Sequence, residues 1–210
     1  MANILQNNLL LLILHHIWYK PTSLFLSMEI IAIFPPYIYS IKYDDKEENE
    51  YDRLFDEWND LTSVLDFLMQ HKAMLKTSVW QKVSEPELAA RQVLDEAEAL
   101  ELLFKELNNH TANGEEPDYD SHFHFLDGKY KFELEYEPMK SYGDGRPSLL
   151  RMYAIKMDRN TYLITGGGIK LGATIQNSPG LQDHVIQNID KVRAWLKENG
   201  IMDADDMEDN

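Results

Sequence analysis

Three side chains between Ser148 and Lys170 could handle an oxyanion: Arg151, Tyr153 and Lys170. On a strand, Leu149, Arg151, Tyr153 and Ile155 share one face, and Leu150, Met152, Ala154 and Lys156 share the other. Arg151 beside Tyr153 makes a patch able to grip a phosphate or carboxylate, because a guanidinium binds such groups through two parallel hydrogen bonds. The competing reading is a structural arginine paired with one of the 36 acidic residues. An unpaired arginine on a sheet is costly, so on the residues alone the structural reading takes precedence.

Lys170 follows Gly166-Gly167-Gly168-Ile169. Consecutive glycines can turn backbone N–H groups toward an anion. A nucleotide loop, however, needs glycine, lysine and then serine or threonine at fixed spacing, with a helix directly after. Leu171 follows Lys170, so that reading is rejected. The expectation is a bend that lets the strand leave the sheet and places Lys170. His122-Phe123-His124, read as a strand, would aim two imidazoles the same way, but spacing implies no third ligand and no metal is predicted. Glu98 and Glu101 could pair as catalytic carboxylates; in so acidic a chain, solvated faces are the expectation. No serine–histidine–acid arrangement can be inferred, and no cofactor is predicted.

The elements that must carry these residues are legible from periodicity. Ile30–Phe34 and Tyr37–Tyr43 read as extended segments around Pro35-Pro36. One helix is expected after the charge run Asp44–Glu50, with an apolar face of Leu54, Phe55, Trp58, Leu61, Val64, Leu65 and Leu68. Ser84 and Glu87 read as a capping box with Pro86 in the first turn of a second helix. Leu88, Leu94, Ala97, Leu100, Phe104 and Leu107 supply its face, and it is expected to fray at Asn108-Asn109. The two should pack as a helical hairpin. Tyr130, Phe132, Leu134 and Tyr136 alternate as a strand, and Pro138–Pro147 reads as a loop. A β-hairpin turning at Asp158-Arg159-Asn160 follows. The last helix is expected from Asn177-Ser178-Pro179, with Leu181, Val185, Ile189, Val192 and Leu196 on one face and Gly200 as its stop.

The fold class expected is α+β: a helical hairpin and a C-terminal helix packed on a small antiparallel β-sheet. Residues 28–201 would form one such domain. Residues 1–27 read as a non-native or disordered extension ahead of a true start at Met28. Residues 202–210 read as an acidic disordered tail. The apolar run Leu9–Leu14 is too short to span a membrane. The chain holds no cysteine, which removes thiol catalysis and disulfides and fits a cytoplasmic protein. Its net charge of -16 argues against general nucleic-acid binding unless positive charge is locally concentrated.

The order of two helices, a small sheet, Leu150-Arg151-Met152-Tyr153, a hairpin, Ile169-Lys170 and a C-terminal helix resembles the RelE/ParE superfamily of toxins. The likeness covers about residues 84–200, with residues 28–83 as an elaboration; Ser141-Tyr142-Gly143 through Lys170 looks like larger toxin-like proteins. The resemblance implies a toxin-like component of a bacterial toxin–antitoxin module, a metal-free ribosome-dependent mRNA endonuclease. Its partners would be an antitoxin of helix-turn-helix type and the ribosome with its messenger RNA. It implies Arg151 as a phosphate-binding group, Lys170 as a second cation and Tyr153 as an orienting or acid/base group. Ribosome-acting members are usually basic, and this chain departs from them at -16. The alternative left open is a non-enzymatic interaction protein whose acidic helical surface binds a basic protein partner.

Overall fold

In a computed structural model of the chain, residues 27–126, 136–142, 147–182 and 184–208 are described. The expected extension before residue 27, most of the strand read around Tyr130–Tyr136, and Gly143-Asp144-Gly145 lie outside them.

The described strands are β1 (Met28–Phe34), β2 (Ile38–Tyr43), β3 (His124–Phe125), β4 (Glu137–Ser141), β5 (Leu150–Asp158) and β6 (Thr161–Ile169). They form one sheet in the order β1-β2-β6-β5-β4-β3. Every neighbouring pair is antiparallel except β2 with β6, which run parallel. The α+β class is therefore observed, with helices packed against a mostly antiparallel sheet. The prolines end β1 as expected, and Pro35-Pro36 lies in the β1–β2 turn. Interior placement explains why β2 is buried on both faces despite its alternating sequence.

The helices are α1 (Glu50–Asn59), α2 (Leu61–Gln70), α3 (Lys72–Leu75), α4 (Pro86–Ala112), α5 (Val185–Asn199) and α6 (Ala204–Glu208). The single helix expected after the charge run is broken at Asp60. That residue takes an extended conformation (φ -81, ψ 92), and its carboxylate accepts the N–H groups of Thr62 and Ser63. A local aspartate cap outcompetes continuation of the helix. The capping box before α4 is not formed either. Glu85 is the N-cap and makes no side-chain capping bond, while Pro86 does open the helix. The helix runs to Ala112 rather than fraying at Asn108. Of the expected apolar face, Ala97, Leu100, Phe104 and Leu107 are buried, but Leu88 is 49% exposed, and Ala89, Ala90 and Val93 are buried in its place.

The last helix starts at Val185, later than Asn177, and Gly200 caps it in the left-handed conformation (φ 70). The composition of residues 202–210 predicts a disordered tail, yet 204–208 form α6. Its anchors are Met207, which packs with Ile201, Tyr39 and Leu196, and the Tyr39 hydroxyl, which donates to Glu208. Burying a side chain such as Met207 is worth about 1.5–3 kcal/mol, which offsets part of the entropy lost in ordering this short acidic segment.

One face of the sheet packs Ile38, Met152, Ala154, Tyr162 and Ile164 against Leu54, Trp58, Val93 and Phe104 of the helical layer. The other packs Tyr39, Ile41, Ile155 and Leu163 against Val192 and Leu196 of α5. Tyr153 joins Leu181, Val185 and Ile189 in a third cluster. Among the described residues, no helix is long and apolar enough to cross a membrane.

Candidate functional site

On the α5 side of the sheet, beyond the reach of Val192 and Leu196, lies a cleft of about 770 Å³. Its lining includes Lys140, Tyr142, Ser148, Arg151, Tyr153, Lys170, Thr174 and Gln176. Strand alternation and register explain who meets there. Lys140 on β4 is paired with Tyr153 on β5, so both stand on one face, and Arg151 is two residues from Tyr153 on the same side. All three residues singled out from sequence, Arg151, Tyr153 and Lys170, line this one cleft.

Each cation is held by carbonyl oxygens. The Arg151 Nη1 donates to Ser148 at 3.0 Å and to Leu150. The Lys170 ammonium donates to Gly172 at 2.8 Å and Ala173 at 2.9 Å. The Lys140 ammonium donates to Leu126 at 2.7 Å. Burial lowers the Lys170 pKa, and the charges of Arg151 and Lys140 lower it further. That repulsion is the electrostatic sign of positive charges standing close together.

Tyr153 is 1% exposed. Burial pushes its phenol up to about 12, with Arg151 pulling the other way. The hydroxyl therefore remains protonated at neutral pH and can donate to an oxyanion. Tyr142 forms the next wall, with the Arg151 guanidinium 4.9 Å from its ring centre and His124 stacked on it at 5.0 Å. An arginine seated against an aromatic face has less freedom to lose on binding.

The glycine run does not bend out of the sheet. All three glycines belong to β6 and pair with β5, with one extra residue between the Tyr153–Gly166 and Ala154–Ile164 pairs. Their absence of side chains is used for close approach: a Cβ on Gly167 would fall 2.4 Å from the Arg151 carbonyl oxygen and 2.9 Å from Leu54.

Reading from sequence missed Lys140 and Tyr142. Pro138–Pro147 reads as a loop, whereas Glu137–Ser141 is β4. The spacing Pro138, Lys140, Tyr142 is the period-two signal that could have found them. His122 and His124 do not share a strand, since His122 sits in a turn. Among the described residues, no group of three or more His, Asp or Glu side chains could hold a metal ion. Glu101 is paired with Lys105 at 2.6 Å, and Glu98 is exposed.

Chemically the arrangement offers an oxyanion three cations and the Tyr153 hydroxyl, the kind of groups that stabilise added negative charge. Compared with family models, curated proteins and solved structures, the chain matches none.

Proposed function

We propose that the cleft binds the phosphodiester backbone of RNA, and that the chain is a toxin-like component of a bacterial toxin–antitoxin module acting as a ribosome-dependent messenger-RNA endonuclease. The observation that carries this reading is the convergence of Lys140, Arg151 and Lys170 on one tyrosine-walled cleft in a chain of net charge -16. Overall acidity repels RNA, so binding would depend on this local concentration of positive charge.

In the proposed reaction a ribose 2′-hydroxyl oxygen bonds to the adjacent phosphorus while the P–O5′ bond breaks. Solvent water takes the proton of the 2′-hydroxyl and supplies one to the leaving 5′-oxygen. Negative charge grows on the phosphoryl oxygens, where Arg151 and Lys140 would act. Tyr153, protonated at neutral pH, would orient an oxygen by donating to it. Removing one such donor from a charge-stabilising site costs about 10²–10³-fold in rate.

The test is induced expression in bacteria with growth and messenger-RNA cleavage followed together. Wild type should arrest growth and cut messenger RNA on ribosomes, and Arg151→Ala should do neither. Normal growth and intact messenger RNA with wild-type chain would overturn the reading. The alternative, a basic protein partner on the acidic helical surface, is favoured by one observation: Asp95, Glu98 and Glu106 of α4 are exposed beside Leu102, itself 50% exposed. That partner should bind Arg151→Ala as tightly as wild type.

A further inference from the structure

Glu96 lies where α4 meets the start of β5 and is 6% exposed. Its carboxylate accepts from Gln92 Nε2 at 2.6 Å, Ser148 Oγ at 2.7 Å, Leu149 N–H at 2.9 Å and Leu150 N–H at 3.1 Å. Each of those two N–H groups is one edge of a peptide unit, and each opposite edge is a carbonyl. The Ser148 carbonyl, opposite Leu149 N–H, accepts the Arg151 guanidinium at 3.0 Å. The Leu149 carbonyl, opposite Leu150 N–H, accepts the Lys170 backbone N–H at 2.6 Å. One carboxylate thus grips the rear edges of two successive peptides whose front edges fasten both cationic residues.

We propose that Glu96 is a positioning residue for the cleft: through these two peptides it sets the direction of the Arg151 guanidinium and the departure point of the Lys170 loop, without touching the ligand. A hydrogen bond on the N–H side of a peptide polarises and aligns its carbonyl, so the two bonds on each peptide reinforce one another. Burial keeps water from substituting for the carboxylate. Gln92 adds to the frame by donating to the Pro147 carbonyl at 3.1 Å, directly before the gripped segment.

The binding half of the test rests on the RNA reading above; a second readout does not. With purified full-length chain, a fluorescein-labelled 2′-O-methyl RNA oligonucleotide, which cannot be cleaved at the 2′ position, reports affinity. Glu96→Gln should weaken it about tenfold in the wild-type background and by less than about twofold when Arg151 and Lys170 are both already alanine. Equal losses in both backgrounds would reduce Glu96 to a general fold stabiliser and overturn the proposal.

The second readout is the rotation rate of the Arg151 guanidinium about its Cζ–Nε bond, measured by nitrogen NMR without RNA. It should accelerate in Glu96→Gln. Acceleration in Glu96→Gln, together with a wild type that binds no RNA, would sink the RNA reading and leave the positioning role standing. An unchanged rate would sink the positioning role whatever the RNA result. If Glu96→Gln does not fold, Glu96→Asp, which keeps the carboxylate but shortens its reach, goes through the same two measurements with the same outcomes deciding.

Discussion

Arg151 stands directly across the β5–β6 ladder from Gly168. A Cβ on Gly168 would lie 2.7 Å from the Gly180 carbonyl oxygen and 3.2 Å from Leu181, at a φ of +157 that side-chain-bearing residues rarely adopt. The glycine therefore lets the segment before α5 settle onto the strand beside the arginine. Further back in the same segment, the carbonyls of Gly172 and Ala173 receive the Lys170 ammonium. Packing at Gly168 and the placing of positive charge in the cleft are thus one construction.

Gly168→Ala should therefore cost stability and disturb the cleft together. Overpacking of this kind costs about 1–3 kcal/mol, which in a chain of this size lowers Tm by roughly 2–12 °C. Thermal unfolding followed by circular dichroism measures it. An unchanged Tm would mean that the segment does not rest on the strand at this point.

Lys140 should matter as much as the two cations visible in the sequence. Lys140→Ala is expected to weaken binding of single-stranded RNA about tenfold at low salt, the value of one charge-assisted contact. The slope of log affinity against log salt should also fall by about 0.7, one phosphate contact on a single strand. A titration series from low to high salt checks both. A reduced affinity with an unaltered salt slope would show that Lys140 shapes the cleft without meeting a phosphate.

The uneven legibility of this site in the sequence has physical causes. Arg151 and Tyr153 could be placed together because a strand of period two fixes its own faces. Lys140 could be joined to them only through the β4–β5 register, which is a long-range pairing, and Pro138 disguised the strand as loop. Asp60 sits within an unbroken spacing of apolar residues, so the helix break it makes is invisible to periodicity. Glu96 is one acid among 36 acidic residues, and nothing local separates it from its solvated neighbours. Only the packing of α4 on the start of β5 sets it apart. The glycine run stands out in the sequence, but its use depends on Leu54, from far back in the chain, and on Gly180, across the loop that follows β6.

Anion binding should decline with rising pH sooner than an ordinary lysine would allow. Burial first, and then Arg151 and Lys140, hold the Lys170 pKa below its usual 10.5. As pH rises through that lowered value, Lys170 sheds its proton and its share of the attraction disappears. Lys170→Arg keeps its charge throughout this range. Wild-type affinity for the RNA oligonucleotide should fall more steeply than that of Lys170→Arg across the alkaline window below 10.5. Parallel profiles for the two proteins would remove Lys170 from the binding site.

Asp120 offers a test on the acid side that is independent of any function. Its carboxylate accepts from Lys156 at 2.9 Å, from the Tyr162 hydroxyl at 2.6 Å and from the Asn160 N–H at 3.0 Å, tying the segment before β3 to the β5–β6 turn. Burial alone would raise its pKa, but the hydrogen bonds from Lys156 and Tyr162 and the Lys156 charge outweigh it and hold the pKa below 3.8. A carboxyl whose folded pKa lies below its unfolded value binds fewer protons folded than unfolded. Its stabilisation is therefore complete above the unfolded value and is lost as pH falls through the folded one. The side chain is 35% exposed, so the contribution is discounted to about 1 kcal/mol. Asp120→Asn should then lower Tm by roughly 2–4 °C at neutral pH, and the gap to wild type should close as pH drops below 3.8. A gap that persists undiminished at lower pH would mean that the charge of Asp120 contributes nothing and that its hydrogen bonds alone hold the turn.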